Sequence, residues 1–299
     1  MAEIGAEMLL GRAAPERAVL RMTGGDALSV LQDVVTNDVE PLSAPGDEGL
    51  RAVYAALLTP QGKYLFDFFV LAGAGVDGVL IDVAAPRAAA LAKRLGMYCL
   101  RRDARMAGEA EVLVGQVMPA DLAATAAEAA PALPAALPEG VLAVVDPRMP
   151  ALGWRLYAME ASALEAALAG LGGGTLEAAT LDARRVALGV PETAVELVVE
   201  ETFPLEAGLD ALAGIDFRKG CYVGQEVTAR MRHKTELKKR LVRVAVTGSA
   251  PPGTPLTTEA GKPAGTLFTQ AGGSALAHVR LDRATGPLTA GDALVVFEP

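Results

Sequence analysis

The C-terminal part of the chain consists of short strand-like runs separated by turn residues. Between Lys238 and Thr247, valines occupy positions 242, 244 and 246, the period of two that is typical of a half-buried strand. Pro and Gly residues at 251–253 and 261–263 mark turns after this strand. Further strand-like runs follow at 264–268, 274–279 and 292–297. Short strands with closely spaced turn signals predict a small β-barrel at residues 236–299.

The residues before this barrel mix strand and helix patterns, which predicts an α+β fold with a body of β-sheets and helices. Strands are predicted at 17–22, 51–58, 64–71, 79–83, 141–146 and 153–158, with a hairpin turn at 59–63. Helices are predicted at 27–32, at 85–95 with Gly96 as the stop, and at 162–171. The Ala- and Pro-rich residues 119–138 are predicted to form an exposed connection.

Chain length predicts several domains, because 299 residues exceed the ~100–150 residues of one ordinary domain. We expect a body at 1–50 and 112–235, an inserted α+β subdomain at 51–111, and the barrel at 236–299.

Composition excludes several classes of protein. A hydrophobic content of 52% against 21% charged residues excludes a wholly disordered chain. The formal net charge of −9 argues against strong general nucleic-acid binding, which depends on Lys and Arg neutralising phosphates. Cys99 and Cys221 form no CxxC pair, so we expect no disulfide framework, no metal site and a reducing, cytoplasmic location. An acidic N-terminus and the lack of an apolar run of ~20 residues predict a protein that is neither exported nor bound to a membrane.

The octapeptide at 219–226, Lys-Gly-Cys-Tyr-Val-Gly-Gln-Glu, has the composition of a functional site. Gly220 and Gly224 flank Cys221 where the backbone must turn sharply or approach another group closely. Lys219 and a helix beginning near Gly224 would both favour the thiolate, which predicts a reactive cysteine. The alternative is a small buried hydrophobe, and that interpretation is the one we favour for Cys99 in its apolar surroundings.

This octapeptide, with its flanks at 215–218 and 229–233, resembles the YgfZ-type folate-binding proteins. These are relatives of the glycine cleavage T-protein that are linked to the maintenance of iron–sulfur proteins. Residues 31–39 and 58–63 are similar to N-terminal signatures of the same superfamily, so the resemblance spans nearly the whole chain. It implies a folate-binding body with a C-terminal barrel, tetrahydrofolate or a derivative as cofactor, iron–sulfur client or assembly proteins as partners, and a monomer.

The resemblance also implies a set of site residues. Asp67 is a lone carboxylate in an apolar, aromatic strand, and it matches an aspartate that faces the folate pterin in T-protein relatives. The alternative for Asp67 is a solvent-facing strand residue. Lys219 and Cys221 form the expected catalytic pair. The expected folate contacts are Asp67, Arg185, Glu206, Tyr222, Gln225, Glu226 and Arg230. Arg185 could equally be a helix-end cation, and Glu206 a charge at a helix start.

Two further features bear on function. Ala187 stands where T-protein relatives carry a glutamate that binds the pterin, which makes glycine cleavage activity improbable. A basic cluster is either a solvated face or an anion site for the glutamate tail of folate; it comprises Arg218, Lys219, Arg230, Arg232, His233, Lys234, Lys238, Lys239 and Arg240.

These features give three hypotheses for function. The first is a folate-binding accessory factor for iron–sulfur proteins, including enzymes that modify tRNA. The second is a folate-dependent one-carbon transferase or demethylase. The third, a tRNA-binding module, is disfavoured by the net charge.

Overall fold

A computed structural model describes residues 8–43, 49–73, 76–121, 130, 132–133, 137–234 and 237–297. Their contacts divide the chain into two compact units. Unit 1 comprises Met1–Leu57, Phe66–Glu177 and Ala213–Tyr222, and unit 2 comprises Leu58–Leu65, Ala178–Leu212 and Val223–Pro299. The predicted subdomain at 51–111 thus belongs to unit 1 apart from residues 58–65. The predicted connection at 119–138 lies largely outside the described residues.

Two antiparallel sheets form most of unit 1. Their strands are β1 (Leu9–Ala13), β2 (Arg17–Thr23), β3 (Leu50–Leu58), β4 (Tyr64–Gly73), β5 (Val79–Ala84), β6 (Arg105–Glu109), β7 (Leu113–Pro119), β8 (Val141–Val145) and β9 (Trp154–Ala158). The five-stranded sheet has the order β3-β4-β5-β2-β6 and the four-stranded sheet the order β1-β7-β9-β8. One apolar cluster contains Leu71 and Leu80 from the first sheet and Val114 and Tyr157 from the second, so the two sheets share a core.

The described residues of unit 1 also form three α-helices, α1 (Ala27–Val34), α2 (Ala88–Tyr98) and α3 (Ala161–Ala169). The first has the expected amphipathic pattern, because Ala27, Val30, Leu31 and Val34 are buried at a helical spacing. The expected end of α2 at Gly96 is wrong, since the helix continues to Tyr98. Gly96 is a half-buried residue within the helix rather than a stop, and a Cβ added there would meet nothing within 4 Å.

Unit 2 contains the predicted C-terminal barrel, which is closed and confirms that part of the fold. The strands of the barrel are β10 (Lys239–Thr247), β11 (Thr254–Thr258), β12 (Pro263–Ala271), β13 (Ser274–Arg280), β14 (Leu288–Ala290) and β15 (Ala293–Val296), and they are hydrogen-bonded in the order β10-β13-β12-β11-β14-β15. Unit 2 also contains the helices α4 (Ala178–Leu188) and α5 (Gln225–Lys234). Val244 and Val246 are buried in the barrel core, with Val242 packed against it, as the alternation predicted.

Candidate functional site

Cys221 is exposed and lies four residues before the start of α5. The helix begins at Gln225, next to the glycine where the motif predicted it. Gly224 has a φ of +83°, and a Cβ there would lie 2.6 Å from the carbonyl oxygen of Thr59. Its backbone therefore requires glycine, as expected. Gly220 differs, because a Cβ added there would meet nothing within 4 Å.

Cys99 is the other free cysteine, and it is held within its own helix. It caps the C-terminus of α2, and its thiol donates a hydrogen bond to the carbonyl oxygen of Leu95 at 3.5 Å. Burial raises the pKa of the Cys99 thiol. Less thiolate is therefore present at neutral pH, which agrees with a structural role.

Lys219 is directed into unit 1, where its ammonium group holds the end of a helix. Its Nζ donates hydrogen bonds to the carbonyl oxygens of Gln32 at 2.8 Å, Val35 at 2.7 Å and Asn37 at 2.8 Å. These three bonds use all three donors of an ammonium group. The carbonyls lie at and just after the C-terminus of α1, where they lack partners within the helix and carry partial negative charge.

The surroundings of Lys219 also affect its charge. Burial lowers the pKa of Lys219 to about 8, although the carboxylates of Asp38, Asp216 and Asp33 oppose that shift. The expectation that Lys219 activates the thiol of Cys221 stays a prediction. The hydrogen bonds give Lys219 a second role, which is to fix the backbone two residues before the cysteine.

Residues 213–222, which we call the Cys221 loop, are attached to unit 1 by further hydrogen bonds. The hydroxyl of Thr36 donates to the carbonyl oxygen of Gly214 at 2.6 Å, and the Asn37 side-chain amide donates to that of Ala213 at 2.6 Å. The amide of Asp216 donates to the carbonyl oxygen of Thr36 at 3.1 Å. The segments at 31–39 and 213–222, distant in sequence, thus meet within unit 1 through these contacts and those of Lys219.

Ala213 shows how firmly the Cys221 loop is held. Its φ is +51°, a left-handed conformation that an L-residue adopts at a cost. The bond from Asn37 to the Ala213 carbonyl helps to maintain it. Thr36 and Asn37 lie in a segment that resembles a family signature, but neither residue was predicted to have a role.

Asp67 lies in β4, is 6% exposed, and accepts a hydrogen bond from the hydroxyl of Tyr54 at 3.1 Å. The alternative of a solvent-facing residue is therefore wrong. Burial, followed by the charge of Asp67, raises the pKa of Tyr54 well above its usual value, so this phenol keeps its proton. Its role as a folate contact stays a prediction.

A buried ionic network lies in the same unit and was not anticipated from the sequence. Asp82 of β5 accepts hydrogen bonds from Arg17 at 2.7 Å, Arg155 at 2.6 Å and the Tyr157 hydroxyl at 2.8 Å. Burial alone would raise the pKa of Asp82, but the two arginines outweigh it and hold that pKa below its usual value. The guanidinium of Arg155 also lies 4.0 Å from the ring centroid of Phe69, two residues from Asp67. The network therefore links the two sheets of unit 1 beside the Asp67 strand.

Arg185, in unit 2, is buried among carboxylates. It forms ion pairs with Asp182 at 2.9 Å, Glu196 at 3.4 Å and Glu192 at 3.5 Å, and it donates a hydrogen bond to the Val190 carbonyl at 2.9 Å. This arrangement favours the interpretation as a helix-end cation, since its charge is already compensated. A folate contact by Arg185 stays a prediction.

The remaining candidates are divided between the two units. Tyr222 is buried in unit 1, where the Lys219 ammonium lies 5.4 Å from its ring centroid. In unit 2, Glu206 lies outside the helices and is half-buried; burial raises its pKa. Gln225, Glu226 and Arg230 lie on α5, and the last two form an exposed ion pair at 2.8 Å.

Two features of the described part of the chain bear on ligands and membranes. No group of three or more His, Cys, Asp or Glu side chains is placed to hold a metal ion there. None of the helices described is long and apolar enough to cross a bilayer.

Similarity to known proteins extends over most of the chain. Residues 238–299 match the family described as the CAF17 C-terminal β-barrel domain. The human mitochondrial iron–sulfur cluster assembly factor IBA57 is 32% identical over 289 residues, covering 91% of this chain and 78% of that protein. The mitochondrial IBA57 homologue of Mycosarcoma maydis is 31% identical over 247 residues, covering 80% of this chain and 58% of that protein.

A solved structure supports the fold. The aminomethyltransferase T of the glycine cleavage system from Bartonella henselae matches with a TM-score of 0.73 at 14% identity, covering 98% of this chain and 86% of that chain. At this identity the likeness concerns the fold alone, and it confirms the predicted T-protein type. The relatives are named IBA57 rather than YgfZ, so the resemblance to YgfZ-type proteins holds at the level of the superfamily.

The predicted cytoplasmic location is contradicted by these relatives, which are named as mitochondrial proteins. The prediction was wrong because free thiols indicate a reducing compartment without identifying which one.

Proposed function

The chain belongs to the IBA57 family of iron–sulfur cluster assembly factors, and we propose that it serves iron–sulfur proteins through the thiolate of Cys221. In this proposal Cys221 contacts the cluster, or a sulfur-bound group on its way to a client, at the surface of the protein. The partners are iron–sulfur assembly or client proteins. On the strength of the resemblance to YgfZ-type proteins, the clients include enzymes that modify tRNA.

The observation that carries this proposal is an exposed thiol on a backbone that is held from behind. Cys221 is exposed, whereas Lys219, two residues earlier, is only 9% exposed and makes three hydrogen bonds to the end of α1. A thiol that must meet a partner's metal has to be accessible. A fixed loop lowers the entropy lost when that contact forms.

The number of available ligands supports a shared cluster. Iron–sulfur clusters are usually held by four cysteine thiolates, and this chain has two cysteines, of which Cys99 is bonded to its own helix. The described residues offer no group of three ligands for a metal ion. Cys221 would therefore supply one ligand, and partner proteins or small thiols would supply the rest. Thiolate ligation releases the thiol proton to solvent.

We further propose that the protein binds a reduced folate beside the Asp67 strand. The support is the family resemblance and a buried carboxylate, because carboxylate oxygens accept hydrogen bonds from N–H donors such as those of a pterin. Calorimetry with tetrahydrofolate tests this proposal. Binding should weaken in Asp67→Asn, and equal binding by that variant or no heat at millimolar ligand would refute the folate site.

The role of Cys221 is tested in a strain that lacks the protein. Cys221→Ser should fail to restore the activities of iron–sulfur enzymes, whereas Cys99→Ser should restore them. The two variants change the same atom at the two cysteines of the chain, so each controls for the other. Full restoration by Cys221→Ser would refute the proposal.

A further inference from the structure

Residues 196–206 of unit 2, which we call the strap, are attached to the barrel at both ends. At one end the buried carboxylate of Glu196 accepts hydrogen bonds from the Thr269 hydroxyl at 2.6 Å and the Thr269 amide at 3.2 Å. The Glu196 carbonyl lies 3.2 Å from Nε2 of His278. At the other end the carbonyl of Glu206 accepts a hydrogen bond from the Leu241 amide at 2.6 Å. These bonds fix the strap to β12, β13 and β10.

A cavity of about 320 Å³ lies between the strap and the barrel. Its volume falls at the lower end of the range for small-molecule sites. Val198 and Thr202 line it on the strap side, and Phe268 and His278 on the barrel side. The Phe268 and His278 rings meet edge to face with their centroids 5.6 Å apart, so this side of the cavity is aromatic and the two ring planes are nearly perpendicular.

The charges at this cavity are unusual for an acidic chain. Lys239 of β10 and Arg280 of β13 both line it, and the two residues lie directly opposite each other in the antiparallel pair. Like charges at directly opposed positions destabilise a sheet, so their placement calls for a compensating anion. Arg283 adds a third cation to the lining.

Three carboxylates lie near these three lining cations, and Lys63, whose charge also acts on Glu206, adds a fourth cation. Asp282 pairs with Arg280 at 3.1 Å, and the two lining carboxylates are those of Glu201 and Glu206. Burial raises the pKa of Glu206, although Lys239 and Lys63 oppose the shift. The two glutamates also provide acceptors for the N–H or O–H groups of a ligand.

We propose that this cavity binds a small organic anion, with its carboxylate or phosphate at Lys239 and Arg280 and a flat apolar body against Phe268. The site lies entirely within unit 2 and involves neither Cys221 nor Asp67. Glu206, one of the expected folate contacts, lines the cavity, but the proposed roles of Cys221 and Asp67 do not depend on this site, so either proposal can fail without the other.

The test is a titration of the whole chain with benzoate that is monitored by two-dimensional NMR of the backbone amides. We expect shifts at Thr266, Phe268 and His278. Benzamide has the same ring without the charge and should cause the same shifts only at much higher concentration. Phenyl phosphate in place of benzoate shows which anion the site prefers. Tighter binding of either anion than of benzamide supports the proposal.

Matched variants locate the charge. Lys239→Gln and Arg280→Gln should each weaken benzoate binding by about tenfold, as expected for loss of a charge-assisted hydrogen bond. Arg240→Gln is the control, because Lys239 and Arg240 are both exposed and alternation places the Arg240 side chain on the opposite face of β10. Thermal melting confirms that all three variants fold. Equal binding of benzamide and benzoate, equal weakening by Arg240→Gln, or no shifts at these amides would overturn the proposal.

Discussion

The Cys221 loop and the segment around Cys99 hold the two thiols of this protein in opposite ways. The Cys99 thiol bonds to a carbonyl of its own helix, four residues earlier. The Cys221 loop is held through neighbouring residues, and its thiol is exposed. The Cys221 thiol can therefore stay accessible on a fixed backbone, because neighbouring residues such as Lys219, and not the thiol itself, make the hydrogen bonds that hold the loop.

Removing that anchor should have the largest effect on stability. Lys219→Met keeps much of the side-chain length but leaves one buried and two partly buried carbonyls without their donor. We expect a loss of about 3 kcal/mol in the free energy of unfolding, measured by chemical denaturation. Arg218→Met is the matched control, because its side chain is 94% exposed and its loss should change stability little.

If Lys219→Met is as stable as the parent, the three hydrogen bonds do not hold the loop and the comparison fails. Lys219→Gln retains one donor group, so its free energy of unfolding should lie between those of Lys219→Met and the parent. The rescue of iron–sulfur enzyme activity should decrease in the same order as stability.

A smaller loss is expected at Thr36. Its hydroxyl donates to the Gly214 carbonyl at 2.6 Å and accepts from the Ala56 amide at 2.8 Å, and it is fully buried. Thr36→Val preserves the shape and removes both bonds, which should cost about 2 kcal/mol. Denaturation measures this cost, and Ser29→Ala on the exposed side of α1 is a control that should cost less.

Sequence reasoning succeeded where a pattern lies within one element. The valines of β10 predicted the barrel, and the glycine of the motif predicted the start of α5. The strands β1, β6 and β7 were missed, because each is short and contains a glycine that interrupts the apolar pattern.

The anchor of the Cys221 loop could not be found in this way. Lys219 was placed beside the cysteine correctly, but its partners are backbone carbonyls more than 180 residues away in sequence. Backbone carbonyls occur at every residue and carry no sequence signature. The Asp82 network was missed for a related reason, since Arg155 and Asp82 lie in different sheets.

The smallest expected effect concerns the pH dependence of Cys99. Burial raises the pKa of Cys99, so its alkylation by iodoacetamide should be slow at neutral pH. The alkylation rate should still increase with pH above the pH range in which an ordinary thiol is fully ionised. Cys221 should react faster at neutral pH because it is exposed. Peptide mass spectrometry separates the two rates. Equal rates for both cysteines would remove the basis of the comparison.

The most direct test of a cluster role for Cys221 is anaerobic reconstitution with ferrous iron and sulfide, followed by visible absorption. Without another thiol, the wild-type chain should hold no stable cluster, because Cys221 supplies one of the ligands that a cluster needs. With glutathione present to supply the others, wild type and Cys99→Ser should both develop the cluster absorption, and Cys221→Ser should not. Equal cluster absorption in Cys221→Ser would contradict the account.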